Sequence, residues 1–136
     1  MNESIQVTCS RSNLAVIRDY VKSCLDAFAV TGKTAGQIVL AVDEACANCI
    51  IHQHNCDGNS HIEVSLNHAD GVIVIAIKDS GEAFPIDEYT PQSLEDIIRN
   101  RRKGGLGINL IHRIMDKIEV EQREGYHLYK FEKRIG

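Results

Sequence analysis

The chain lacks several features that would point to particular classes of protein. It has no tryptophan and only two prolines, and 15 basic side chains are set against 19 acidic ones. So little proline argues against collagen-like or disordered sequence, and the net charge of -4 argues against a primary nucleic-acid binder. No apolar run is long enough to span a bilayer, and we recognise no signal peptide. We therefore expect a cytoplasmic protein with no direct contact to membranes or nucleic acid.

The cysteines form no recognisable metal or disulfide framework. Cys46 and Cys49 make one C-x-x-C pair, but no second pair follows at zinc-finger spacing. Buried, reduced thiols are the default interpretation and fit a cytoplasmic protein. A metal or redox module built on Cys46 and Cys49 stays an alternative. The five cysteines are Cys9, Cys24, Cys46, Cys49 and Cys56.

Hydrophobic patterns predict a single domain over residues 1–136, which is long enough to bury its own core. Strand-like alternation, helical periodicity and an Asp70-Gly71 hairpin signal give the order β-α-α-β-β-irregular-α-β-β. The strands pair as hairpins along the sequence and do not alternate one by one with helices. This order predicts an α+β two-layer sandwich, in which a mostly antiparallel sheet has helices on one face. Strands are predicted at 4–9, 61–66, 72–78, 117–123 and 126–133. The first predicted helix begins at Ser12 or Asn13 and is broken at Thr31-Gly32-Lys33. The second runs from 34 to 54, and the third follows Gly107.

Three polar residues recur every four residues in the second predicted helix. Glu44, Asn48 and His52 would form one stripe on a helix that is otherwise apolar or small. Burying a carboxylate and an amide without partners is costly, so such a stripe usually faces a ligand, a metal or a partner helix. A solvent-facing stripe is the alternative.

Two glycine motifs follow the stripe. Asp79-Ser80-Gly81 ends a strand that is apolar on both faces and is therefore predicted to be central. Gly104-Gly105-Leu106-Gly107 precedes a helix, where backbone N–H groups and the helix dipole favour a phosphate. Each motif taken alone also fits an ordinary turn.

Together, and in this order, the three motifs resemble the N, G1 and G2 boxes of the GHKL ATPase superfamily. The chain is most similar to the small anti-sigma-factor serine/threonine kinases of bacterial stress and sporulation switches. The likeness covers nearly the whole chain. The segments that fit this family are the N-terminal strand, Ala41–Asn48, Gly104–Ile111 and Ile114–Asp116. It implies a Bergerat-type ATP-binding fold of the histidine kinase-like kind.

The resemblance also implies roles for individual residues. Glu44 would be the general base or would orient the attacking hydroxyl, and Asn48 would ligate Mg²⁺. Asp79 would accept a hydrogen bond from the adenine amino group, and Gly81 would let the base approach closely. His52 would line the pocket mouth or merely cap the helix. The nucleotide-binding set expected from the resemblance is Asn48, His52, Asp79, Gly81, Phe84, Lys103, Gly104, Gly105, Leu106 and Gly107.

The segment 86–103 would be the ATP lid, with one of its basic residues, Arg99, Arg101, Arg102 or Lys103, neutralising the γ-phosphate. Ala83 departs from the pattern, since many relatives have a second glycine there.

The implied activity is phosphorylation of a serine or threonine on an anti-anti-sigma (STAS-domain) protein, with ATP and Mg²⁺ as cofactors. A sigma factor, sequestered when the antagonist is phosphorylated, would be the second partner, and a homodimer is expected. Two alternatives stay open: an ATP-binding switch that only sequesters a partner, and a stand-alone GHKL ATPase.

Overall fold

The computed structural model describes residues 4–53, 61–79, 105–123 and 126–135, and side chains within these ranges except at 51–53, 105–109 and 122–123. Five strands and three α-helices are defined, with a π-helical segment after the second helix. The elements are β1 (Ser4–Thr8), α1 (Asn13–Ala27), α2 (Gly32–Ala47), a π-helical segment (Asn48–Gln53), β2 (His61–Ala69), β3 (Val72–Asp79), α3 (Gly105–Ile114), β4 (Lys117–Arg123) and β5 (Tyr126–Arg134).

The five strands form one sheet in the order β1-β2-β3-β5-β4, and every neighbouring pair is antiparallel. The buried side chains of the sheet lie on one face, because side chains alternate along each strand. Val64, Ile77 and Tyr129 stand opposite one another on three neighbouring strands at the centre of this face. The predicted α+β sandwich and the central position of β3 are confirmed.

The hairpin between β2 and β3 turns at the predicted pair. Asp70 and Gly71 both adopt positive φ, at 54° and 75°. Two successive residues with positive φ make the turn whose twist matches the strands, and Asp-Gly tolerates it well. Ala69 therefore pairs directly with Val72, which fixes the register of the whole hairpin.

Helix α1 ends earlier than predicted. The N–H of Val30 bonds to the carbonyl of Leu25, and that of Ala29 bonds to the carbonyl of Asp26. This is a Schellman cap, which requires a left-handed residue, and Ala29 takes that conformation with φ of 60°. The helix thus closes before Thr31-Gly32-Lys33, and Gly32 already begins α2.

The second predicted helix is not one continuous α-helix over 34–54. α2 runs from Gly32 to Ala47, and the backbone then widens into a π-helical segment from Asn48 to Gln53. Such segments are rare and recur at functional sites. The four-residue spacing therefore lies within regular α-helix only from Glu44 to Asn48. The side chain of His52 lies outside the described side chains.

The glycine motif also lies differently from the prediction. Gly105 and Gly107 do not precede the last helix but form part of its first turn, since α3 begins at Gly105. α3 packs against α2. No helix in the described ranges is both long and apolar enough to cross a bilayer.

The left-handed alanine predicts a stabilising substitution. Ala29→Gly should raise the free energy of unfolding by about 0.5 to 1 kcal/mol, because relief of strain outweighs the extra freedom of the unfolded chain. Urea unfolding measures the change. Ala15→Gly, at an exposed position within α1, is the matched control and should lower stability. Equal losses for both variants would contradict the Schellman assignment.

Candidate functional site

Asn48 is a buried amide at the junction between α2 and the π-helical segment. Its backbone N–H bonds to the carbonyls of Glu44 and Ala45, so it is held by the last turn of α2. Only 7% of the residue is exposed, and its Nδ2 has no hydrogen-bond partner among the described residues. A buried amide in this state is normally satisfied by water or a ligand. The solvent-facing alternative for the stripe is thus wrong at Asn48.

Glu44 lies one helical turn before Asn48 and on the same face. It is half-buried, and its pKa is raised above the ordinary 4.5, first by burial and then by the neighbouring charge of Asp43. Asp43 itself turns outward and accepts a hydrogen bond from Arg18 Nε at 3.0 Å. The two adjacent carboxylates therefore have different surroundings. Asp43 lies in a surface ion pair, whereas Glu44 is partly shielded from water.

Asp79 is the last residue of β3 and is 1% exposed. It lies on the helix-covered face, between Ile62 and His127 in the register. Burial raises the pKa of the Cys49 thiol well above its usual range, and the nearby carboxylate of Asp79 raises it further. The thiol of Cys46 is also fully buried, which raises its pKa, and the charges of Asp43 and Asp79 raise it further.

The structure therefore brings three of the predicted site residues, Glu44, Asn48 and Asp79, to one region. Glu44 and Asn48 share a face of α2, and Cys49, the residue after Asn48, is close enough to Asp79 for the carboxylate to raise the pKa of its thiol. Gly105, Leu106 and Gly107 form the start of α3, a helix N-terminus of the kind that binds anions. The side chain of His52 lies outside the described side chains. The other predicted residues lie outside the described residues, and they are Gly81, Phe84, Arg99, Arg101, Arg102, Lys103 and Gly104.

These groups fit a magnesium-bound nucleotide. An amide oxygen such as that of Asn48 suits Mg²⁺, a hard cation that keeps several waters. A carboxylate at a strand end can accept a hydrogen bond from an amino group of a base. Among the described residues, no cluster of three or more His, Cys, Asp or Glu side chains is arranged to hold a metal on its own.

Two contacts of the site were missed from the sequence. The C-x-x-C pair was interpreted as two buried thiols, which Cys46 and Cys49 are, or as a metal or redox module. Their proximity to Asp79, which raises the pKa of both thiols, was not expected. The pairing of Arg18 with Asp43 joins α1 to α2 across 25 positions. No local pattern identifies either contact, because each depends on how separate elements pack.

Comparison with known proteins agrees with this geometry. The histidine kinase-like ATPase domain family matches residues 7–129. The anti-sigma F factor of Priestia megaterium is 31% identical over 130 residues, which cover 93% of this chain and 88% of that protein. The chain therefore belongs to the histidine kinase-like ATPase domain family, as the sequence motifs predicted.

A second relative matches over a shorter stretch. The serine-protein kinase RsbW of Bacillus velezensis is 28% identical over 93 residues, or 63% of this chain. The match spans only 56% of that kinase's length.

Solved structures share the fold. The RsbU and RsbW domains of Rv1364c from Mycobacterium tuberculosis align with a TM-score of 0.70 at 15% identity, over 98% of this chain and 32% of that one. The SiaB-SiaC complex from Pseudomonas aeruginosa aligns with a TM-score of 0.64 at 17% identity, over 98% and 89%. At such identities the likeness concerns the fold alone.

The surroundings of Glu44 predict an unusual titration. In carbon-detected NMR, the Glu44 carboxyl should titrate above 4.5, and Asp43→Asn should lower its pKa by removing a neighbouring negative charge. The pKa of Glu44 is higher in the folded protein than the ordinary 4.5. Its contribution to the free energy of unfolding should therefore be fully present below pH 4.5 and should be lost as the pH rises through the folded-state pKa. Asp19→Asn, an exposed change on α1, is the control and should leave Glu44 unaffected. An ordinary pKa for Glu44 would contradict its described burial.

Proposed function

We propose that this protein is a cytoplasmic, Mg·ATP-dependent serine/threonine kinase of the anti-sigma type. It would phosphorylate an anti-anti-sigma (STAS-domain) protein and sequester a sigma factor. One observation carries the proposal: Glu44, a half-buried carboxylate with a raised pKa, lies one turn from the buried amide of Asn48, whose Nδ2 has no hydrogen-bond partner among the described residues. The relatives named as anti-sigma F factor and serine-protein kinase RsbW support it.

Glu44 would act on the attacking hydroxyl. Its raised pKa makes it a better proton acceptor than an ordinary glutamate. Its place on α2 is fixed by the helix, so the carboxylate can hold the serine or threonine hydroxyl in line with the phosphoryl group. Positioning of this kind supplies much of the rate enhancement in phosphoryl transfer.

The nucleotide would be held from two sides. Asn48 would contribute its amide oxygen to Mg²⁺, and Asp79 would accept the hydrogen bond of the adenine amino group. When bound, Mg·ATP supplies the transferable phosphoryl group together with a cation that neutralises its charge. The N-terminus of α3, which includes Gly105 and Gly107, would direct backbone N–H groups at the phosphates.

Several parts of the proposal rest on the family resemblance. Gly81 and Phe84 would border the base, while Lys103 and Gly104 would close over the phosphates. His52, at the far end of the π-helical segment, would line the pocket mouth. A homodimer is also expected from the family.

Transfer of phosphate should depend on Glu44. With γ-labelled ATP and a lysate of the source organism, the native protein should label a small acceptor on serine or threonine. Glu44→Ala should reduce this transfer roughly 100- to 10,000-fold, the usual contribution of a general base, while nucleotide binding persists. Glu63→Ala is the matched control, because Glu63 lies on the face of the sheet that the helices do not cover. This variant should transfer phosphate to the acceptor as the native protein does.

Equal transfer by Glu44→Ala and the native protein would refute the catalytic role. Binding of ATP without any labelled acceptor would favour the sequestering switch, and release of free phosphate alone would favour a stand-alone ATPase.

Substitutions on the two sides of the proposed nucleotide site should weaken binding in different ways. In calorimetry, Asp79→Ala should weaken ADP and ATP alike, by roughly 10- to 100-fold, because it removes a charged acceptor from the base. Asn48→Ala should weaken binding mainly when Mg²⁺ is present. Asn67→Ala, on the open face of β2, serves as the control. Unchanged affinities for both site variants would overturn the nucleotide-site proposal.

A further inference from the structure

The outer side of α2 carries a glycine and a leucine that packing within the protein does not explain. Gly36 has no positive φ, and a Cβ placed on it would meet no atom within 4 Å outside its own helix. Glycine inside a helix costs stability relative to alanine. Leu40, one turn further along, is 40% exposed. The described part of the chain therefore gives no reason for a bare backbone at Gly36 beside an exposed leucine.

Both residues continue the polar stripe towards the start of α2. Gly36, Leu40, Glu44 and Asn48 recur every four positions and form one slowly winding row on the helix. Gly36 is exposed, Leu40 is 40% exposed, Glu44 is half-buried and Asn48 is only 7% exposed. The row thus leads from the surface of the protein into the proposed nucleotide site.

We propose that Gly36 and Leu40 form the surface on which the protein acceptor docks, with Leu40 contacting an apolar side chain close to the acceptor serine or threonine. The inference rests on the kinase function proposed above. It deepens that function by naming residues that select the acceptor and by describing the side chain that they select.

The position of Glu44 determines the occupant of this surface. An acceptor hydroxyl that reaches Glu44 brings its own chain over the neighbouring surface, and Leu40 lies one turn away on the outer side of α2. Four residues of α-helix span about 6 Å, and an extended segment advances about 3.3 Å per residue. The side chain two positions from the acceptor residue points to the same face of its segment and would therefore lie over Leu40.

The charges around Leu40 favour a neutral, apolar side chain in the acceptor. Asp43 and Glu44 lie three and four positions after Leu40, so both carboxylates border it. Asp43 accepts a hydrogen bond from Arg18 Nε at 3.0 Å, so its charge is already paired. An apolar side chain leaves this ion pair intact, whereas an acidic one would face two carboxylates.

Steady-state kinetics with the acceptor, purified from the lysate by following the label, test the role of Leu40. Leu40→Ala should raise the KM for the acceptor about threefold to tenfold, because apolar surface that the complex buries is lost. The kcat and the affinity for ADP should stay unchanged. Leu40→Met conserves volume and should remain within about twofold of the native KM.

Val16→Ala is the matched control. Val16 is 43% exposed, so this change removes a similar apolar surface from α1. Arg18 reaches across to α2, and a rotation of about 200° over two residues directs Val16 away from that helix. The KM of this variant for the acceptor should equal that of the native protein.

Gly36→Gln tests the surface in the opposite way, by adding atoms. The bare helix surface at Gly36 would let the acceptor backbone approach α2 closely. The new Cβ meets no atom outside its own helix, and glutamine favours helix, so the urea midpoint should rise. The KM for the acceptor should nevertheless increase, by roughly fivefold or more, as expected when atoms are inserted into a packed contact.

The outcomes separate this inference from the proposed function. If the native protein labels no acceptor, the kinase function is wrong and the docking surface with it. If the native protein labels an acceptor but Leu40→Ala and Gly36→Gln leave its KM unchanged, the docking surface is wrong and the kinase function stands. A lower kcat for Leu40→Ala at an unchanged KM, or an equal rise in KM for Val16→Ala, would also overturn the inference.

Discussion

The structure depends on how the C-terminal end of α2 packs against the end of β3. Asp79 at the end of β3 and Asn48 at the end of α2 are almost completely buried, although burying a polar group without partners costs free energy. A core built only for stability would have apolar residues in both places. The proposed nucleotide site requires polar groups in these places, and a site of this kind costs stability, a common trade-off in binding proteins.

The same helix keeps two adjacent carboxylates in different environments. Successive residues on an α-helix point in directions far apart, so Asp43 reaches Arg18 at the surface while Glu44 stays half-buried. Asp43 still raises the pKa of Glu44 through its charge. The ion pair to Arg18 is exposed and contributes little to stability, so its main consequence is to hold Asp43 on the outer side of α2.

Much of the fold could be predicted because it is encoded locally. Alternation identified the strands, and Asp70-Gly71 identified their hairpin, since both signals depend on neighbouring residues. The end of α1 was misplaced because Ala29 adopts a left-handed conformation that sequence rules assign to glycine. The motifs predicted a set of site residues, but not the proximity of Cys49 to Asp79, which depends on how the end of a helix lies against a strand.

The π-helical segment explains why the site could not be derived from helical spacing alone. A continuous α-helix would repeat the direction of Glu44 and Asn48 every four residues, whereas the wider turn after Ala47 breaks that repeat. The break falls at Asn48, the residue proposed to ligate Mg²⁺, and at Cys49, whose thiol has its pKa raised by burial and by the nearby Asp79. A change that restored regular α-helix here would leave the fold's hydrophobic pattern intact and still misalign both. The geometry of this one turn, more than the identity of the stripe, therefore determines whether the buried groups can act on one ligand.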